Sequence, residues 1–162
     1  MALTQEILKE RLSYNPENGL FTRLTSLGGV AIGSIAGCEY GAGYWGISLN
    51  NRIYLAHRLV FLYMTGSFPD EMADHINGDK LDNRWCNLRN ATRTQNSFNS
   101  GKRSSNTSGY KGVVLNKKSG RWHSKIKINK KWIWLGTFNS ALEASDAYEK
   151  AAKAHHGEFY SI

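Results

Sequence analysis

One stretch constrains this 162-residue chain more than any other: Ser100 to Gly109, SGKRSSNTSG. It is polar, lacks any apolar side chain and is rich in Ser and Gly, which is linker composition. The chain therefore reads as two small bodies rather than one. Residues 1–99 form the first, residues 100–109 the linker, and residues 110–162 the second, small but sufficient for one sheet and one helix.

Hydropathy patterning assigns elements within each part. Thr4 is a plausible N-cap for a helix whose apolar stripe is Ile7, Leu8 and Leu12. Asn15-Pro16-Glu17-Asn18-Gly19 is a turn. Strands follow at Leu20–Leu24, Tyr44–Leu49 and Ile53–Leu55, the last two joined at Asn50-Asn51. His57–Thr65 reads as a helix ended by Gly66. Ala73-Asp74-His75 ends a short strand, Asn77-Gly78 is a turn, and a polar loop runs on to Asn87. Leu88–Ala91 is the returning strand, and Thr92 caps a helix that carries Asn96.

The second part reads strand, strand, strand, helix. Tyr110–Leu115 is the first strand. Trp122–Ile128 alternates strictly, with Trp122, Ser124, Ile126 and Ile128 on one face and His123, Lys125 and Lys127 on the other. Asn129-Lys130 turns tightly into Lys131–Leu135. Ser140-Ala-Leu-Glu143 is a capping box that starts a helix at Ala141. Its inner face is Ala144, Ala147, Tyr148, Ala151 and Ala152, and Gly157 stops it. The expected fold class is α+β: a strand–strand–helix core preceded by small strands and helices, then a three-stranded antiparallel sheet backed by one helix.

Charge narrows the partner. The formal charge is +8 and the pI about 9.6, so a polyanion is the simplest partner. A membrane is not expected, since the longest apolar run, Leu59–Met64, is far short of the roughly 20 residues a span needs. The charged N-terminal helix is not a signal peptide, which places the chain in the cytoplasm of the cell that makes it. Cys38 and Cys86 suit a reducing compartment and form no C-x-x-C pair, so no structural zinc is expected. Cys86 reads as a small buried side chain.

Two groups of residues carry chemistry. A strand pair followed by a helix would gather Asp74, His75 and Asn96. Phosphodiester hydrolysis needs a base to activate water and a cation to stabilise charge on the phosphate. His75 can be that base, while Asp74 and Asn96 offer hard oxygen donors that suit Mg²⁺ better than zinc. Asn99, three residues further along the helix, is a rival to Asn96. His57 and Arg58 would brace the core or touch phosphate. In the second part, the alternation puts Trp132 and Trp134 on the face of His123, Lys125 and Lys127 if Ile133 and Leu135 face the helix. Exposed indoles among lysines suit a nucleic acid better than water. The alternative is a register slip of one residue, which would bury both tryptophans. Lys117, Lys118 and Arg121 add to the positive patch.

Residues 57 to 99 resemble the HNH nucleases, particularly the phage and intron homing endonucleases. His57-Arg58-Leu59-Val60, Asp74-His75, Asp82-Asn83, Asn87-Leu88 and Gln95-Asn96 carry the resemblance. It implies a ββα-metal motif with His75 as general base, Asp74 and Asn96 holding one divalent ion (Mg²⁺ first, Mn²⁺ as the alternative), and Asn87 bracing the loop and orienting the histidine. Ser108 to Tyr160 is similar to the AP2 domain, through Ser108-Gly109-Tyr110-Lys111-Gly112-Val113, Gly120-Arg121-Trp122, Trp134-Leu135-Gly136-Thr137-Phe138 and the Ala-rich helix. That implies a sheet lying in the DNA major groove, with contacts at Lys111, Lys125, Lys127, Trp132 and Trp134. Val114 and Asn116 stand where plant members carry base-reading arginines, and Lys118 where they carry a tryptophan, so a different sequence preference follows. Together the resemblances imply a metal-dependent endonuclease acting on double-stranded DNA, making a nick or a double-strand break, as monomer or homodimer. The competing reading is a DNA-binding regulator whose nuclease site is idle.

Overall fold

The computed structural model describes residues 2–26, 29–102 and 104–160; Met1, Ser161 and Ile162 at the ends of the expected domains, and Arg103 of the expected linker, lie outside them. The fold is α+β, and the chain divides into two compact units, Met1–Thr94 and Gln95–Ile162.

The first unit opens on α1 (Gln5–Arg11), where the Thr4 side chain accepts from the Ile7 N–H as the sequence predicts. The helix stops sooner than its apolar stripe. Leu12 is already extended and begins β1 (Leu12–Asn15), which pairs antiparallel with β2 (Leu20–Arg23) across the Asn15–Gly19 turn. A second sheet orders β3 (Cys38–Tyr40), β4 (Tyr44–Leu49) and β5 (Arg52–Leu55). Asn50 and Asn51, at φ 52° and 59°, make the tight turn between the last two. Helix α2 (Ala56–Thr65) ends at Gly66 in the left-handed conformation. The core gathers Leu8, Leu12, Phe21, Ile47, Leu49, Leu59 and Val60, so helix, hairpin and sheet share one apolar centre.

Strand β6 (Met72–His75) pairs with β7 (Leu88–Ala91) in a separate two-stranded sheet, with Asp74 opposite Arg89 and His75 opposite Leu88. Between them lies a polar loop that ends in the 3-10 turn Trp85–Asn87. That turn faces Asn87 inward and leaves Cys86 exposed, not buried as expected. Helix α3 (Arg93–Asn99) follows, and the boundary between the units falls inside it.

The second unit places β8 (Val113–Asn116), β9 (Arg121–Ile128) and β10 (Lys131–Phe138) in the order β10-β9-β8, with α4 (Ala141–His156) buried on one side. The first strand begins three residues later than the sequence suggests. Gly112, at φ +68°, sits where a Cβ would strike the Tyr148 ring and the Lys125 carbonyl, so the chain is still turning there. The Ser140 hydroxyl caps α4 by accepting from the Glu143 N–H at 3.2 Å. Its buried side chains are Ala144, Ser145, Ala152 and His156. Ser145 and His156 were not on the expected apolar face; His156 is held by stacking flat on Phe98, 3.6 Å between ring centroids.

Candidate functional site

The first candidate site is the β6–β7 turn. β6 ends in Asp74 and His75, and both side chains are buried, at 4% and 5% exposure. Burial of a carboxylate is costly unless it is paired. Asp74 meets this through its cross-strand neighbour: its Oδ2 accepts from Arg89 Nε at 2.8 Å, and Arg89 Nη2 lies 2.8 Å from the same oxygen.

The loop between the strands is tied internally by amide side chains. The Asn87 amide donates to Asn77 Oδ1 at 3.0 Å and to the Asp82 carbonyl at 2.8 Å, while its own oxygen accepts from the Asn77 N–H at 3.0 Å. Asn77 Nδ2 in turn donates to Asp82 Oδ2 at 2.8 Å. Asp82 also receives Arg84 in a two-pronged pair, 2.7 and 2.6 Å, which holds its carboxyl down at about 2. The same loop rests against the β1–β2 hairpin. A Cβ on Gly19 would come within 2.6 Å of the Arg84 nitrogen and the Asn83 carbonyl carbon, so only glycine lets the two backbones approach this closely.

His75 sits among rings. The His57 ring meets it edge-on at 4.9 Å, and Tyr44 lies 6.2 Å away. Burial lowers the His75 pKa, against an opposing push from the Asn83 hydrogen bond and the Asp74 charge. The ring is therefore kept neutral at pH 7. His57 is pushed down further, to about 3, first by burial and then by His75 and Arg58. It is a core histidine rather than a phosphate contact, as its burial also indicates. Asn83 Oδ1 lies within hydrogen-bond reach of the His75 ring, 3.2 Å from Nε2. The family resemblance includes Asn83 in a motif and gives it no part in the site. Asn96 belongs to the unit that begins at Gln95.

The second candidate site is the open face of the β8–β9–β10 sheet. Cross-strand partners share a face. Trp132 is opposite Lys127 and Trp134 opposite Lys125, while Val114 is opposite His123 and Asn116 opposite Arg121. Trp132 and Trp134 are 62% and 55% exposed, which disposes of the slipped register that would bury them. Asn129 and Lys130, at φ 49° and 65°, make the tight turn that fixes this pairing. Lys125 and Lys127 place their ammonium groups 4.8 and 5.9 Å from the Trp132 ring centre, and His123 meets Trp134 edge-on at 4.6 Å. Lys117 is exposed in the β8–β9 turn, and Arg121 is exposed at the start of β9. Lys111 makes contacts within its own unit. Its ammonium donates to the Phe98 carbonyl at 3.2 Å, lies over the Tyr160 ring and has its pKa lowered by burial. It ties its own unit together.

Comparison with known proteins finds a family model over part of each unit. Residues 54–98 match the family model described as HNH endonuclease, and residues 108–158 match the model described as AP2 domain. Two AP2/ERF and B3 domain-containing transcription factors of Arabidopsis thaliana are 48% identical over 48 residues and 51% identical over 43, covering 30% and 26% of this chain. An ethylene-responsive transcription factor of Lotus japonicus is 46% identical over 57 residues, or 34% of the chain. The chain spans only 13%, 12% and 21% of the length of these three relatives. No solved structure matches it.

Proposed function

We propose, for a chain that carries an HNH endonuclease domain ahead of an AP2 domain, that it is a metal-dependent DNA endonuclease. The observation that supports this most is the adjacent, buried pair Asp74 and His75 within the HNH match, one paired to a cation and the other kept neutral. A neutral imidazole can take a proton from water. The oxygen of that water bonds to phosphorus, one P–O ester bond breaks, the water proton passes to His75, and the leaving oxygen is protonated from solvent. Asn87 holds the loop on which this depends.

Among the described residues no three His, Cys, Asp or Glu side chains cluster as a metal cage. The donors on offer are instead one carboxylate, Asp74, and the amide oxygen that the family pattern assigns to Asn96. Such a set fits a hard ion that takes its remaining ligands from water and substrate phosphate, as Mg²⁺ does, with Mn²⁺ as the alternative. When bound, the ion would supply positive charge to the phosphate and the leaving oxygen.

The sheet face of the second unit is the proposed DNA grip. Lys125, Lys127 and Arg121 would neutralise phosphates, with Lys117 at the turn, while His123, Trp132 and Trp134 pack against sugars and bases. Residues 1–99 would then be the nuclease domain and 110–162 the DNA-binding domain, joined by 100–109. Action on chromosomal or phage DNA inside a cell, and use as a homing enzyme, belong to this same reading. No helix among the described residues is long and apolar enough to cross a membrane.

The relatives are transcription factors by name, which favours a second reading: a DNA-binding regulator with an idle nuclease site. Supercoiled plasmid separates the two. The wild type should convert it to nicked or linear form with Mg²⁺ and not with EDTA. His75→Ala should cut about 10²- to 10⁴-fold more slowly while still shifting DNA on a gel. A wild type that binds plasmid yet leaves it supercoiled with every divalent metal ends the nuclease reading.

A further inference from the structure

A histidine that accepts a proton from water must present a ring nitrogen that carries none. Which nitrogen that is depends on what holds the other. His75 Nε2 lies 3.2 Å from the side-chain oxygen of Asn83, itself only 3% exposed. The orientation of the Asn83 amide is fixed independently, because its Nδ2 donates to the Leu81 carbonyl at 3.1 Å. Turning the amide over would set its oxygen against that carbonyl, so Oδ1 is the atom that faces the imidazole. An amide oxygen can only accept; Nε2 must therefore carry the proton and donate it.

Asn83 is itself immobilised. Its N–H donates to the Leu81 carbonyl at 3.0 Å, and its carbonyl accepts from the Tyr14 hydroxyl at 2.8 Å. Tyr14 belongs to β1, is buried, and its hydroxyl is kept protonated by that burial. The N-terminal hairpin thus reaches the histidine through one asparagine, with Gly19 packed on the same loop. Asn87, which the family resemblance casts as bracing the loop and orienting the histidine, ties Asn77 and Asp82.

We propose that Asn83 is the positioning residue of His75: its side-chain oxygen takes the Nε2 proton and fixes the ring in the Nε2–H tautomer, so that Nδ1 is the nitrogen that carries no proton. This rests on the reading of His75 as the base. Asn83 touches no substrate and acts through the imidazole alone. Asn83 is then part of the site.

The test begins with a measurement that needs no cutting. Long-range ¹H–¹⁵N NMR of metal-free, ¹⁵N-histidine-labelled full-length protein reports which nitrogen of His75 is protonated, with His75→Gln identifying the resonance. The expected result is the Nε2–H tautomer in the wild type, and its loss in Asn83→Leu, which keeps the volume and removes the acceptor. Asn83→Leu should also cut plasmid about 10- to 100-fold more slowly at saturating DNA with its DNA affinity unchanged. Asn83→Asp, which restores an acceptor oxygen, should recover the tautomer and most of the rate. Wild-type His75 protonated on Nδ1, or Asn83→Leu cutting at the wild-type rate, overturns the proposal. Should Asn83→Leu fail to fold, the wild-type tautomer and Asn83→Asp still decide it. A wild type that cuts nothing but shows the Nε2–H tautomer refutes the nuclease reading and leaves the Asn83–His75 bond standing. A wild type that cuts and shows Nδ1–H does the reverse.

Discussion

The β6–β7 loop and the sheet face of β9 and β10 hold polar groups in opposite ways. In the loop, Asp74, His75, Asn83 and Asn87 are all buried, and each is hydrogen-bonded or ion-paired to a named neighbour. On the sheet face, Lys125, Lys127, Trp132 and Trp134 are exposed, and their mutual contacts are ring-and-cation packing rather than directional bonds. The difference fits the role proposed for each. A site that moves one proton needs its groups placed before substrate arrives. A surface that meets a polyanion works through charge and contact area, and long side chains free to adjust serve it well. Substitutions should therefore act on stability and rate in the loop, and on affinity on the sheet.

The largest expected effect comes from Arg89. Arg89→Met removes the guanidinium that meets Asp74 Oδ2 and leaves a buried carboxylate without that partner. Breaking such a pair costs about 3–5 kcal/mol. Lys125→Met on the open sheet should change stability by no more than about 0.5 kcal/mol. Urea unfolding of the full chain compares the two directly. Equal, small shifts would show that the buried pair is not the structural joint between β6 and β7.

That contrast was partly legible in the sequence. Asp74 and His75 precede Asn77-Gly78, which marks the end of a strand, so their adjacency at a turn could be read from the chain. Asn129-Lys130 marks a two-residue hairpin, and that turn alone fixes Trp132 opposite Lys127. Other features depend on loop closure in space. The resemblance puts Asn83 in a motif and gives the orienting role to Asn87; the folded loop is what brings Asn83 to the imidazole. β1 begins directly after α1 with no turn residue between them, so Leu12 read as the last member of a helical stripe. β3 is an exposed edge strand with no alternation to betray it. Lys111 belongs to the AP2 resemblance by position, yet the Phe98 carbonyl and the Tyr160 ring that hold it are distant in sequence.

A second, smaller effect sharpens the same contrast through pH. His57 titrates near its ordinary value of about 6.5 when unfolded, but at about 3 when folded. Below pH 6.5 the unfolded chain takes up a proton that the folded chain refuses. Stability is therefore fully present above that pH and is lost as pH falls toward 3. His75, lowered in the same direction, adds to the loss. Between pH 7 and pH 5 the His57 share is about 2 kcal/mol. Melting temperatures across that range should fall for the wild type and fall less for His57→Leu. Parallel curves would mean that His57 is not buried in its neutral form.

The smallest effect belongs to a single lysine on the open face. Lys127 is exposed, lies opposite Trp132 and has its ammonium 5.9 Å from the indole centre. If it neutralises one phosphate, Lys127→Ala should lower the slope of log affinity against log salt by about 0.9, with little change in stability. Affinity at physiological salt should fall severalfold. Trp132→Ala should behave differently: the affinity drops, while the salt slope stays, because an indole displaces no counterion. Fluorescence anisotropy titrations of one labelled duplex at several salt concentrations measure both slopes. If both variants lower the slope equally, the ring serves to hold the lysines in place rather than to touch DNA. If neither does, the grip lies elsewhere on the chain, and the exposed tryptophans need another explanation.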